Sequence, residues 1–314
     1  MREIGGYIEL DTYHLPMLHE QAIALNCGRN ALAYILKARK IRKIKIPYFL
    51  CDSVMNVCKR ENVCVSLYHI GIDFKPVDVC LVDDEWLYLV NYYGQLTNED
   101  IGRYVKEYKR VIVDQSHSYF QMPFEGVDTL YTCRKWFGVA DGAFLYTDSV
   151  LNEEIPVDIS YGRMRFLLGR LEGTASAFYP EYTANNKLFS NEPIKKMSKL
   201  TRNLLHGIDY ETVRKKREEN YRIVHSVLGA KNRLVVEQAD FMYPFMIENG
   251  KEIRKRLQQA MIYIPTLWPS VYGFVNPSDI EYKMAEDILP LPIDQRYDIA
   301  DMEYMCQEVC QCIS

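Results

Sequence analysis

The chain has 314 residues, of which 48% are hydrophobic and 25% charged. That is the balance of a soluble globular protein, long enough for two domains and for a core that needs no disulfide or metal staples. Its 38 basic and 42 acidic residues leave a net charge of −4, which argues against general nucleic-acid binding through a basic surface. No stretch approaches the ~20 uncharged apolar residues of a membrane span, and nothing after Met1 reads as a signal peptide, so a cytoplasmic protein is expected. The nine cysteines are an odd number without a secretion signal, so reduced thiols are the default. Cys306, Cys310 and Cys312 lack the paired CxxC spacing of a zinc site and have no histidine nearby in sequence. They read as small residues on a terminal helix, and no metal is expected.

The first ~150 residues alternate short apolar runs with amphipathic stretches, the pattern of an α/β domain. In chain order a helix is predicted from Gly28, a strand over Lys45–Phe49, a helix from Asp52 and a strand over Val63–His69. A strand over Trp86–Asn91 follows, then a helix from Asn98, with Asn98 as its N-cap and Glu99 and Asp100 suiting the helix dipole. Strands over Val111–Asp114, Thr129–Thr132 and Gly142–Thr147 complete the domain. Strand, helix and strand in succession imply crossovers and a largely parallel sheet covered on both faces.

After Asp148 the pattern changes. Residues 150–200 are poor in strands, and Tyr161–Glu172 fits a helix. A long charged helix is predicted over Asp209–Leu228, with Val213, Tyr221, Val224 and Leu228 on one face. Then come the apolar FMYPFMI, a helix over Ile253–Ala260, a strand-like MIYI and a final helix over Ile299–Cys310. These suggest a smaller α+β domain, with a large domain over 1–195 and a small one over 196–314. The basic run from Lys37 to Lys45 could steer an anionic substrate, but reads better as a solvated helix end. The 24 tyrosines suit a sugar or subunit interface and equally suit half-buried positions.

Four segments could carry chemistry. Cys27-Gly28-Arg29-Asn30-Ala31-Leu32 places a glycine turn at a helix start, where free N–H groups and the dipole can cradle a phosphate; many ordinary helices also begin so. In Val111-Ile112-Val113-Asp114-Gln115-Ser116-His117, an apolar strand ends in an aspartate, where ligands of open α/β sheets bind. Asp114 could instead cap the following turn. In the loop Cys133-Arg134-Lys135-Trp136-Phe137-Gly138, a lysine among aromatics could be desolvated and become a Schiff-base nucleophile, or could snorkel at the surface. Val90-Asn91-Tyr92-Tyr93-Gly94 is a strand ending in a glycine turn and says little alone.

In this order and spacing the segments resemble the DegT–StrS family of sugar aminotransferases, which use pyridoxal phosphate. The resemblance continues through MSKLTRNLL, KREENYRIVHSVL, IYIPTLWP and LPLPIDQRY, and so covers most of the chain. It implies the fold type I of pyridoxal-phosphate transferases: a mostly parallel seven-stranded sheet with helices on both faces, plus a smaller C-terminal α+β domain. It also implies amino transfer from an amino acid to a keto sugar, nucleotide-linked, in two half-reactions, by a homodimer. Lys135 would carry the cofactor aldehyde and move the substrate proton. Asp114 would keep the pyridine nitrogen protonated. His117 would bond to the phenolic oxygen or to the aspartate, and Gly28, Arg29, Asn30 and Thr132 would meet the phosphate. Related sugar dehydratases carry histidine in place of the lysine, so Lys135 favours transamination.

The chain departs from the family at three places. Cys51 stands where many relatives have an aromatic residue against the cofactor ring, Leu130 where they often have a serine, and Ile194 where a partner-subunit asparagine is usual. These departures motivate an alternative, a homologue without turnover that serves as a binding or regulatory subunit.

Overall fold

The computed structural model describes residues 4–313. Its elements in chain order are β1 (Ile23–Leu25), α1 (Gly28–Ala38), β2 (Lys43–Pro47), α2 (Asp52–Arg60), β3 (Cys64–Ile70), β4 (Pro76–Val77), β5 (Glu85–Val90), α3 (Asn98–Tyr108) and β6 (Val111–Asp114). There follow β7 (Asp128–Thr132), β8 (Ala143–Tyr146), α4 (Arg165–Glu172), α5 (Tyr179–Leu188), α6 (Lys199–Leu205) and α7 (Tyr210–Leu228). The chain closes with β9 (Met242–Met246), α8 (Gly250–Gln259), α9 (Ile280–Asp287), β10 (Ile288–Pro292) and α10 (Ile299–Ile313).

The main sheet has the order β1-β8-β7-β6-β5-β2-β3-β4. The pairs β2/β3, β2/β5, β5/β6 and β6/β7 are parallel, while β7/β8, β1/β8 and β3/β4 are antiparallel. Seven strands form the expected mostly parallel sheet, and the eighth is the two-residue β4 at its edge. The central strands are buried along almost their whole length, as in Val111–Asp114 and Leu87–Val90, because helices cover both faces. Chain direction reverses twice across β8, so β1 runs parallel to β7. The carboxyl ends of β1, β2, β5, β6 and β7 therefore share one edge. The strand order turns back between β5 and β2, the kind of switch point where open α/β sheets bind ligands.

Several local expectations are corrected. The cap of α3 is Thr97, not Asn98: Thr97 Oγ1 accepts from the Asp100 N–H and Asp100 Oδ2 accepts from the Thr97 N–H, each at 3.1 Å. Thr97 is the extended residue at this border, which a capping box requires, and Asn98 is already helical. MIYI forms no strand, because Met261 sits at φ 61° and the Ile262 N–H turns back to the Leu257 carbonyl. The partner of β9 is instead β10, in the antiparallel register Ile288↔Met246 to Pro292↔Met242. Tyr161–Glu172 is split into a 3-10 turn over Tyr161–Arg163 and α4. In the basic run Lys37, Lys40, Arg42 and Lys43 are exposed, as a solvated helix end requires, while Arg39 pairs with Asp128 and Asp148 and Lys45 with Glu85. Among the described residues no helix is long and apolar enough to cross a membrane.

His19 is fully buried against Tyr131, with Nδ1 3.0 Å from the Tyr146 hydroxyl and Nε2 2.9 Å from the Tyr119 carbonyl. Burial lowers its pKa to about 4, partly opposed by the Tyr119 carbonyl. The unfolded chain would take up this proton near pH 6.5, whereas the folded chain resists it until about 4. Stability from this group is therefore complete above pH 6.5 and falls as the pH drops toward 4, by about 3 kcal/mol in all. Urea unfolding at pH 7 and pH 4.5 should show this loss, and a His19→Gln variant should show a smaller difference between the two pH values.

Candidate active site

Asp114 ends β6 and is 8% exposed. Its Oδ2 accepts from the Tyr88 hydroxyl at 2.7 Å, and its Oδ1 accepts from the Ser116 N–H at 2.8 Å. Burial, followed by the charge of Asp114, raises the Tyr88 pKa far above the phenol range, so Tyr88 remains a donor. The two donors fix the plane of the carboxylate at the end of its strand.

Lys135 follows β7, the parallel neighbour of β6. Its loop is pinned through the next residue. Trp136 Nε1 donates to the Ser116 carbonyl at 3.1 Å, its ring lies 4.6 Å from the Arg217 guanidinium, and its carbonyl accepts from Gln295 Nε2 at 2.8 Å. The fully buried Arg217 is held by Gln295 and by the Asp240 and Phe241 carbonyls. Lys135 itself makes no hydrogen bond or ion pair among the described residues. Its Nζ lies 5.7 Å from the centroid of the Phe241 ring. Lys135 is exposed to solvent, yet enough protein surrounds its amine for desolvation to lower its pKa. The charges of Asp114 and Cys51 counter that effect, and Arg134 adds to it. Asp114, Cys51 and Lys135 thus stand within one electrostatic neighbourhood.

His117 is 4% exposed, stacked on Phe241 at 4.2 Å and on Trp268 at 5.4 Å. Burial and then the charge of Lys135 hold its pKa well below the ordinary value, so the ring is neutral near pH 7. Its Nδ1 is buried without a partner. Of the two sequence options for His117, the bond to Asp114 is not made, since that carboxylate is held by Tyr88 and Ser116.

At α1 the N-cap Cys27 gives no side-chain bond to the helix start. The Asn30 N–H turns to the Cys27 carbonyl, while its side chain is held by Asn26, Pro193 and Arg60. Asn30 is thus a frame of the turn, and the N–H groups of Gly28 and Arg29 are left without a backbone acceptor among the described residues. A Cβ on Gly28 would come 3.9 Å from Thr132 Cβ, so the helix start and the end of β7 face each other. Cys51 is exposed at the N-cap of α2, with Sγ 2.7 Å from Ser53 Oγ. Gly28, Cys51, Asp114, His117, Thr132 and Lys135 therefore all lie at or just beyond the carboxyl ends of β1, β2, β6 and β7. A cavity of about 590 Å³ lies apart from them, between Thr12–Pro16 and the Lys199, Arg202 and His206 side chains.

Solved structures share this architecture. A DegT DnrJ EryC1 StrS aminotransferase from Brucella abortus superposes with a TM-score of 0.61 at 13% identity, over 92% of this chain and 85% of that one. S. venezuelae DesV, solved in complex with a ketimine intermediate, gives 0.65 at 14%, over 95% and 90%. Helicobacter pylori PseC, an aminotransferase of pseudoaminic acid biosynthesis, gives 0.64 at 12%, over 93% and 86%. The fold is that of the sugar aminotransferases. No protein-family model and no curated protein matches the chain.

Within the aminotransferase fold, the residues present fit pyridoxal phosphate. An amine without an ion pair, a buried carboxylate, an orphaned imidazole nitrogen and an uncapped helix start converge on one edge. Sequence reasoning missed Tyr88, Arg217, Phe241 and Trp268. Tyr88 lies in a strand buried from end to end, where no alternation marks a functional side chain. The other three reach the site from far along the chain.

Proposed function

We propose that this chain is a pyridoxal-phosphate-dependent aminotransferase that moves an amino group from an amino acid to a keto sugar, one linked to a nucleotide. The observation that carries this reading is that Lys135 and Asp114 follow the ends of neighbouring strands and feel each other's charge. The amine has its pKa lowered by desolvation, and it shares an electrostatic neighbourhood with a carboxylate held rigid by two donors. When bound, the cofactor supplies an aldehyde that condenses with amines and a ring that accepts an electron pair from the substrate carbon.

Lys135 is the nucleophile, and its lowered pKa raises the fraction of neutral amine near pH 7. With the cofactor bound, the same Nζ would carry the proton that leaves the substrate carbon. Asp114 would hold the proton on the ring nitrogen. His117, neutral and with an unsatisfied Nδ1, would bond to the phenolic oxygen. The N–H groups of Gly28 and Arg29 and the Thr132 hydroxyl would hold the phosphate. Phe241 and Trp268 cover this edge and limit water.

We infer further that residues 1–195 form the cofactor-binding domain and 196–314 the small one, and that two copies pair in the cytoplasm. The exposed Ile159, Tyr161, Leu168 and Leu171 suit a subunit interface. Purified protein supplied with pyridoxal phosphate should turn yellow, lose the colour on borohydride treatment and scatter light as a dimer. Protein that stays colourless would instead support the alternative of a subunit without turnover.

A further inference from the structure

The turn at the start of α1 stands beside three half-buried arginines, Arg29, Arg134 and Arg163. Arg29 Nη1 donates to the Asn186 carbonyl at 2.9 Å, and Arg134 donates to the side-chain oxygen of the same residue. The guanidiniums of Arg134 and Arg163 lie 4.6 and 5.2 Å from the ring centroid of Phe189, which is fully buried. Asp158, the carboxylate that pairs with Arg163 at 2.7 Å, lies 3.9 Å from Lys195, which is itself paired more closely with Glu192. Arg29 and Arg134 have no carboxylate partner among the described residues. Nε of Arg134 and both Nε and Nη1 of Arg163 are buried without any acceptor.

Buried donors without partners are costly, and like charges drawn together add to that cost. The cost is visible at Arg134, whose pKa is lowered by desolvation, with Arg29 and Arg163 adding to the effect and Cys27 and Tyr182 opposing it. A doubly charged oxyanion relieves both terms at once, because planar guanidiniums meet phosphate oxygens through paired donors. The start of α1 adds free N–H groups and the positive end of its dipole. Arg134 also stands between Thr132, which faces Gly28, and Lys135.

We propose that Arg134, together with Arg29, binds the phosphate monoester of the cofactor. This rests on the cofactor assignment above. The choice of the cofactor phosphate over a substrate phosphate follows from the place of Arg134, one residue before the nucleophilic lysine.

The test titrates the apo-protein with pyridoxal and with pyridoxal 5′-phosphate by absorbance, and follows its melting temperature with inorganic phosphate and with uridine diphosphate. The wild type should prefer the phosphorylated aldehyde. Arg134→Gln and, independently, Arg29→Gln should weaken it by about tenfold or more, with pyridoxal changed less than about twofold. Arg134→Lys should recover part of the loss. Inorganic phosphate should raise the melting temperature of the wild type and not that of Arg134→Gln. Equal weakening of both aldehydes would overturn the proposal, since that is what a merely structural arginine would give. An arginine dependence confined to uridine diphosphate would overturn it too, assigning the site to the substrate. Should neither aldehyde produce a band, the cofactor reading falls, while phosphate stabilisation lost in Arg134→Gln would still uphold an anion site here.

Discussion

Lys135→Ala should abolish borohydride-trappable incorporation of pyridoxal phosphate and reduce amino transfer by at least ~10²–10⁴-fold, the span expected for the loss of a proton-transferring group alone. The argument rests on how the side chain is held. Its loop is pinned through Trp136, by the Ser116 carbonyl and by Gln295, so the backbone that carries the amine is held at the end of β7, the neighbour of the strand that ends in Asp114. No hydrogen bond or ion pair of Lys135 is lost on truncation, so the fold should tolerate the change and the melting temperature should move little. Mass spectrometry of the reduced protein checks the assignment directly. A covalent adduct persisting in the alanine variant would place the nucleophile elsewhere.

Asp114→Asn should lower kcat by about 10²–10³-fold, the usual effect of removing a preorganised electrostatic partner. The variant retains an amide of the same shape. Its oxygen can still accept from the Ser116 N–H, and the Tyr88 hydroxyl can turn to face its nitrogen, so stability should fall only modestly. The loss should appear in kcat for both half-reactions, because the proton on the ring nitrogen serves each. Stopped-flow rates with the amino donor alone would test this, and a wild-type rate in the variant would remove the carboxylate from the mechanism.

The strands that hold these two groups were legible from local pattern. Val111–Asp114 occurs over its predicted residues, and Asp128–Thr132 begins one residue early. Apolar runs of this length between turn residues have few alternatives, and an aspartate at the end of one is conspicuous. The starts of α1 and α2 also lie at the expected residues, and the cap of α3 is one residue earlier than expected, since glycine turns and acidic first turns act locally. MIYI shows the limit of such reasoning. Four apolar residues suit a strand, but here Met261 at φ 61° and the Ile262 N–H bond to the Leu257 carbonyl close α8, and β9 pairs with β10. Whether an apolar run pairs depends on competition among segments far apart in sequence.

The chain's own order of residues thus determined which groups could do chemistry and on which local elements they stand: an aspartate closing a buried strand, a lysine among aromatics, a glycine opening a helix. Only the tertiary structure decided what each group became. Tyr88 and Ser116 orient Asp114, the crowding around Lys135 lowers its pKa, Phe241 and Trp268 enclose His117, and Arg134 and Arg163 gather around Phe189. Backbone preference and hydrophobic period act over a few residues and can be read along the chain. Desolvation and Coulomb interaction act through space, and depend on which distant segments the fold brings together.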